Sequence, residues 1–561
     1  MKIKIFLIAL LLMDIPVLMA QPIPKTKCLT DLFQKEQKEL SQLPRLHKKG
    51  IAGIQEHTID EIMEFWVFKH PWAKIHAICK AVGDYAYIFV EEKMWDQGFV
   101  DQDDINAVLK SFEKQTFKDS TKGIYQTDVE NFGPVPNALD GDPKVYILFY
   151  DMSFYGDGAF FAFDQYTQEQ IDSVYGTGFY YSNEKELLYM NAKNDVSSNL
   201  MLSVVAHEFQ HMIHWNMDPD EESWINEGCA EYAMYLYGYP DPIVVFNMYP
   251  DNDLTMWDSG FGDYIQSYLF IMYLYEKYGG AETIKSLVAE PLNSIEGVEQ
   301  TLINISAQRS FKEVFTDWVI ANYLDVTTSY EGQYGYRNIV LPVFDASRSH
   351  SQYPIENVVG SVSPWAADYI WMNNGTPQTL NFEGDNEGSF NVNVIKIDTA
   401  SQITIDSIVL DDNQNGSYEV PDFDERMKQV VLVISNQKSF GAGSYSYSST
   451  TLTDVKENTD PPSTFSLSQN YPNPFNPSTT IKYSIPTSHQ PSYSQREGVI
   501  VSLKVYDILG REIATLVNKQ QKPGYYEVQF TSDNVQLTSG VYLYRLVSDG
   551  FVKTKKMILM K

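Results

Sequence analysis

SVVAHEFQHMIHWNMDPDEESWINEGCAEY, residues 203–232, is the stretch whose reading decides the rest of the chain. Inside it His207-Glu208-Phe209-Gln210-His211 lies in an apolar run, and on a helix residues four apart stand one above the other on one face. Two imidazoles placed in that way can grip one metal ion. Neutral imidazole suits zinc, and a catalytic zinc keeps three protein ligands plus a water whose pKa falls to about 7. Glu208 is turned off that face by one residue, so it can take a proton from the water and hand it to a leaving amine. After the acidic loop Asp218–Glu222 the chain runs Trp224-Ile-Asn-Glu-Gly-Cys-Ala-Glu-Tyr232, where Glu227 and Glu231 are again four apart. On a second helix packed against the first, Glu227 can supply the third ligand. Glu231, one turn on, can accept a hydrogen bond from the free ring nitrogen of a zinc histidine and so fix its tautomer.

The order HExxH followed by an NE-containing helix resembles the thermolysin-like gluzincin metallopeptidases. The wording AHEFQHMIH and then WINEGCAEYA is most similar to the hyicolysin family of secreted bacterial peptidases. The resemblance implies one zinc per chain on His207, His211 and Glu227, with Glu208 as general base and Glu231 in support. His214 returns to nearly the same helical face as His207, but no glycine follows His211 before Gly228, so the metzincin turn that would bring a third histidine is missing. His214, beside Trp215, is read as a packed or substrate-lining residue.

The chain has 561 residues, 43% of them hydrophobic and 14% aromatic, which is enough for buried cores in three or four domains. A net charge of -31 argues against nucleic acid or an anionic membrane as partner. Residues 1–20 carry Lys2 and Lys4, the apolar run Ile5–Met13 and a small residue at Ala20, and read as a signal peptide. No later stretch is apolar for long enough to suggest a membrane span. Three cysteines are too few for a disulfide scaffold, although a Cys28–Cys79 bridge is one option. A thiol capping the zinc from a prosegment is another option for Cys28, with nothing around it in the sequence to support it. Cys229 reads as a small buried residue, because Glu227 already occupies the ligand position.

Residues 21–64 are polar, lysine-rich and helix-prone, as a prosegment or a simple extension would be. Residues 65–326 are expected to form the peptidase domain, an α+β gluzincin type with a mixed sheet lobe and a helical lobe. Ala86–Glu91 and Lys144–Asp151 read as strands, and Ile105, Val108, Leu109 and Phe112 fall at helical spacing. Tyr181–Asn191 reads as a strand at the sheet edge. In gluzincins such an edge pairs with the substrate backbone, and the resemblance implies this for Leu187, Leu188, Tyr189 and Met190. A tyrosine donor for the oxyanion is expected on the helix Asp263–Tyr278, with Tyr264 and Tyr268 as candidates.

Residues 327–452 alternate as short strands and predict a β-sandwich. Asp411-Asp-Asn-Gln-Asn-Gly416 with Asp422 echoes a calcium loop, but a hairpin loop is favoured, because the last ligand would be Asp and no flanking helices are evident. Residues 453–464 form a polar linker. Residues 465–561, with Tyr471-Pro-Asn-Pro-Phe-Asn-Pro477 and Ser539-Gly-Val-Tyr-Leu-Tyr-Arg-Leu546, resemble the C-terminal sorting domain of type IX secretion cargo, with residues 487–498 as a flexible insertion. That resemblance implies a secreted or cell-surface protein and the type IX machinery as partner, besides protein or peptide substrates. The expected activity is zinc endopeptidase. An aminopeptidase is disfavoured because no GxMEN-like anchor for a substrate amine precedes the motif. The rival is an adhesin with a vestigial metal site, against which stands the presence of every expected ligand and of Glu208.

Overall fold

Ala86–Glu91 (AYIFVE), Val145–Tyr150 (VYILFY) and Leu187–Asn191 (LLYMN) are each buried along their whole length. Near-continuous apolar runs of this kind suit the inner strands of a sheet covered on both faces. In the computed structural model, which describes residues 28, 30–44, 56–69, 72–137, 139, 141–152, 156–243, 251–342, 345–452, 462, 464–486, 499–535, 537–548 and 550–560, they form the middle of a six-stranded mixed sheet. The strands are β1 (Ile62–Phe68), β2 (Trp72–Val82), β3 (Ala86–Glu91), β4 (Val145–Tyr150), β5 (Gly158–Phe160) and β6 (Leu187–Asn191), in the order β1-β2-β3-β4-β6-β5. β3, β4 and β6 run parallel, while β1, β2 and β5 pair antiparallel to their neighbours. β1 begins at Ile62, three residues before the expected start of the domain at Phe65.

Leu187–Met190 is not the expected edge strand, because β6 is paired on both sides, to β4 and to β5. The edge on that side is β5, whose three residues Gly-Ala-Phe are too short to announce a strand in the sequence.

The helices are α1 (Gln34–Ser41), α2 (Glu92–Asp96), α3 (Gln102–Glu113), α4 (Ile124–Phe132), α5 (Gln168–Tyr175), α6 (Asn199–Met217), α7 (Ser223–Tyr237), α8 (Phe261–Lys277), α9 (Ala281–Val288), α10 (Ser294–Asn304) and α11 (Phe311–Leu324). α6 starts at Ser198, whose hydroxyl accepts from the Met201 N–H, and every residue from Met201 to Trp215 is buried, as a helix apolar all round requires. α7 packs between α6 and α8. Gly228 lets α7 approach α8 closely: a Cβ there would stand 2.9 Å from the Ser267 carbonyl oxygen and from Ile271 Cγ1. Gly238, left-handed at φ 106°, ends α7.

Beyond α11 two sheets face each other over Ile370, Leu380, Phe382, Val394 and Leu432. One holds Val358–Val362, Gln378–Gly384, Asn415–Val420 and Gly443–Thr451, the other Arg348–His350, Ala366–Met372, Phe390–Asp398, Ile403–Ile408 and Met427–Asn436. This pair is continuous with the helical core: Trp365 packs edge-on to Phe311 and Phe315, and the Tyr369 hydroxyl donates to the Val319 carbonyl at 2.7 Å. Met1–Leu452 is therefore one compact unit. Thr453–Lys561 is a second unit, with a three-stranded and a four-stranded sheet around Ile481, Leu503, Val505, Tyr544 and Leu546. The proposed signal peptide, most of the linker and the insertion 487–498 lie outside the described residues. No helix among the described residues is long and apolar enough to cross a membrane.

Candidate metal centre

α6 and α7 present His207, His211 and Glu227 to one point. His207 Nε2 is 3.1 Å from His211 Nε2 and 3.1 Å from Glu227 Oε2, and His211 Nε2 is 3.4 Å from the same oxygen. Nitrogen and oxygen ligands about 2.0–2.1 Å from a tetrahedral zinc stand about 3.3 Å apart, so the three separations match the edges of such a site. All three side chains are wholly buried or within 1% of it.

The protons must be placed before the site can be read. His211 Nδ1 is 3.0 Å from Asn226 Oδ1, an acceptor, and His207 Nδ1 is 3.4 Å from Glu231 Oε1. Asn226 Oδ1 is placed to accept an N–H from His211 Nδ1, and Glu231 stands within ion-pair distance of His207 Nδ1, an arrangement that suits rings whose Nε2 lone pairs point inward. Burial disfavours a charge on either ring, but Cys28, Glu227 and, for His207, Glu231 outweigh it and raise both above the ordinary histidine range. Geometry limits this, since two Nε2–H groups 3.1 Å apart would face donor to donor. Neither Glu227 oxygen has a hydrogen-bond partner. Burial alone would push Glu227 up, yet the two histidines hold its carboxyl below the usual range. Lone pairs from two imidazoles and an ionised carboxylate thus converge in a dry site, and the donor set fits a divalent cation such as zinc.

Glu208 stands beside this cluster and outside it. Its Oε2 accepts from Thr30 Oγ1 at 3.2 Å, and Oε1 has no partner. Burial, with added repulsion from Glu227, raises its pKa against the opposing pull of the two histidines, in the direction that suits a general base near neutrality. Edge strand β5 passes directly over it. A Cβ on Gly158 would lie 2.7 Å from Glu208 Cγ and 2.8 Å from Oε1, so only glycine lets the strand come this close.

The other sequence-named residues fall into place around this centre. His214 sits outside the cluster with Nδ1 3.2 Å from Gln210 Nε2, and burial, together with His211, pushes it down to about 3. Cys229 is buried and free. Tyr264 on α8 places its ring 6.5 Å from that of His207, and Trp257 packs edge-on to it. Tyr268 lies one turn further on, buried beside Tyr235. Leu187, Leu188, Tyr189 and Met190 are wholly buried inside the sheet, so the substrate-strand assignment to them is withdrawn. The Asp411 loop is a hairpin turn: Asp411 Oδ1 accepts from the Asn413 and Asn415 amides, so this carboxylate is engaged by its own loop rather than set to hold calcium. The Cys28–Cys79 option also fails, since all three cysteines are free and Cys79 Sγ is 3.5 Å from the Ala81 carbonyl.

Sequence reading missed three residues at the site and raised a fourth, Cys28, only as an unsupported option. Asn226 orients His211, Gly158 admits Glu208, and Cys28 and Thr30 arrive from the N-terminal segment. Asn226 alone carried a local signal, since it lies one residue before Glu227 on the helix facing α6.

Residues 469–560 match the family described as the secretion system C-terminal sorting domain. The C-terminal unit is a type IX sorting domain, and the protein is secreted or carried on the cell surface. An alignment 221 residues long, covering 34% of the chain, is 26% identical to the neutral metalloprotease ShpI of Staphylococcus hyicus and covers 49% of that protein. The chain thus spans about half the length of this relative, and the likeness is to a metalloprotease at a distance. Among solved structures, β-glucuronidase 3 of Bacteroides uniformis overlaps at a TM-score of 0.14 with 12% identity, covering 34% of this chain and 27% of that one. A DUF3823 family protein of Parabacteroides merdae overlaps at 0.13 with 11% identity, over 35% and 100%. Overlaps so slight carry no argument about fold or activity.

Proposed function

We propose that the protein is a secreted zinc endopeptidase of the gluzincin type, closest to the hyicolysins. The observation that carries the reading is the convergence of His207 Nε2, His211 Nε2 and Glu227 Oε2 at the spacing of a tetrahedral zinc, with Glu208 beside the cluster but outside it. When bound there, zinc would lower the pKa of a water and polarise a peptide carbonyl. This chain's residues supply the rest. Glu208 accepts the water's proton and delivers it to the departing nitrogen. Asn226 and Glu231 hold the two imidazoles in the ligating tautomer. Tyr264, the nearer of the two candidate tyrosines to His207, is the donor for the oxyanion. The outermost strand of the sheet beside Glu208 is β5, and an extended substrate would pair with Gly158–Phe160 there once that edge is free, gaining affinity from backbone hydrogen bonds.

The test is Glu208→Gln, which keeps size and polarity but cannot take the proton. Zinc content by elemental analysis and the melting temperature should match the parent, while hydrolysis of casein falls by about 10² to 10⁴-fold. Near-normal turnover would remove Glu208 from the role. Bound zinc with no activity on any peptide, in the parent and in a Cys28→Ser variant alike, would favour the adhesin.

A further inference from the structure

Cys28 lies far from the motif in sequence and next to it in space. Its Sγ is 3.4 Å from His211 Nε2 and 3.4 Å from Glu208 Oε2, and it belongs with His207, His211 and Glu227 to a buried group whose ligand atoms all lie within 4.8 Å of one another. A sulfur ligand at about 2.3 Å and nitrogen ligands at about 2.0–2.1 Å from one zinc would be about 3.5 Å apart, close to the observed separation from His211. The thiol thus stands beside the three donors, within reach of the position that an active zinc leaves to water.

The neighbouring residues hold the thiol in that position. Cys28 forms a parallel β-bridge with Gly158, so its backbone lies on the edge strand β5. Thr30 Oγ1 accepts from the Phe160 N–H at 3.0 Å and donates to Glu208 Oε2 at 3.2 Å, tying edge strand and base to the same residue. Phe33 is then buried among Phe68, Trp72, Phe161, Phe163 and Tyr180. α1 continues across the surface, where the Tyr180 hydroxyl donates to Glu36 Oε1 at 2.9 Å and Lys38 pairs with Glu222 at 2.8 Å.

We propose that the segment from Cys28 through α1 is an inhibitory cap, in which Cys28 supplies the fourth metal ligand and the chain beside it covers the substrate edge at β5. The proposal rests on the endopeptidase reading. Three requirements of catalysis are obstructed together: the water's coordination position, the Oε2 of Glu208, which Cys28 and Thr30 both engage, and the edge of the sheet. Activity requires the segment to leave, by cleavage of the chain between α1 and β1 or by displacement.

The experiment uses full-length protein loaded with Co²⁺ in place of zinc, alongside Cys28→Ser. The wild type should show a thiolate-to-cobalt charge-transfer band in the near ultraviolet. Cys28→Ser should bind the same one equivalent of metal without that band, because three ligands remain. Zinc-loaded Cys28→Ser should hydrolyse casein about 10-fold faster or more than intact wild type, in proportion to the fraction of open sites. If the serine variant folds poorly, Phe33→Ala, which removes the aromatic anchor and leaves the thiol in place, must weaken the band in the intact chain. A wild type without the band, or equal activity in wild type and Cys28→Ser with equal metal, overturns the cap while leaving the endopeptidase reading intact. Failure of both chains to bind metal overturns both.

Discussion

Gly158 offers a sharp test of how the edge strand positions the base. In Gly158→Ala the new Cβ would stand 2.7, 2.8 and 3.0 Å from Glu208 Cγ, Oε1 and Cδ. Ordinary carbon contacts begin at about 3.5 Å, so the glutamate has to retreat by about 0.8 Å. Glu208 is wholly buried, with no open space to retreat into, and the β5 backbone is held through Ala159 and Phe160 by β6. Overpacking of this kind costs about 1–3 kcal/mol of stability. Displacing a catalytic group by about 1 Å costs about 10²-fold in rate, equivalent to about 2.7 kcal/mol in the barrier. The variant is best assayed on casein in a zinc-loaded Cys28→Ser background, so that the cap does not obscure the comparison. Zinc content should equal the parent, because none of the ligands lies among the near neighbours of the added methyl, while kcat falls about 10²-fold. A kcat indistinguishable from the parent would show that Glu208 need not stand where β5 holds it.

Three further outcomes are expected. In a Cys28→Ser background Glu227→Ala should release the metal and abolish hydrolysis, His214→Ala should keep it, and Glu231→Gln should weaken metal retention about 10 to 100-fold through His207; zinc retained in Cys28→Ser/Glu227→Ala but lost in Cys28→Ser/His214→Ala would reverse the ligand assignment. Between α6 and α7, burial raises Asp218 to about 7, with repulsion from Asp220 adding to it, and burial raises Glu221 to about 8 against amides of Ser294 and Glu222 that pull it down. These carboxyls keep their protons in the folded state at pH values where the unfolded chain has lost them, so their stabilisation is complete below about pH 4 and is lost as pH rises to about 8. The melting temperature should fall across that window, less steeply in Asp218→Asn/Glu221→Gln; parallel curves would refute the assignment. Deleting residues 465–561 should trap the protein in the periplasm of its host with hydrolysis intact, and normal surface delivery of the truncated chain would count against a sorting role for that unit.

The helical part of the site was legible because its determinants are local. The four-residue spacings of His207–His211 and Glu227–Glu231 become shared faces as soon as the segments are helical, whatever surrounds them. The sorting domain was legible for a similar reason, since its resemblance lies in short runs such as YPNPFNP. LLYMN was misplaced although its unbroken apolar character suits an inner strand better than an edge. Its chain position just before α6 had outweighed its composition.

The sequence by itself determined that His207, His211 and Glu227 would share facing helices with Glu208 beside them, and it carried the sorting tail, because each is written within one helix or one short motif. Only the tertiary structure decided which strand forms the edge over the site and what lies on it. Strand order depends on pairing between distant segments, and Gly158–Phe160 is too short to show a period. Cys28 and Glu208 are 180 residues apart, and the contact between them exists only because the sheet and α6 bring the N-terminal segment across β5. A lone cysteine in a polar stretch has no local pattern that could reveal a ligand, and its role depends on the three donors that the fold places around it.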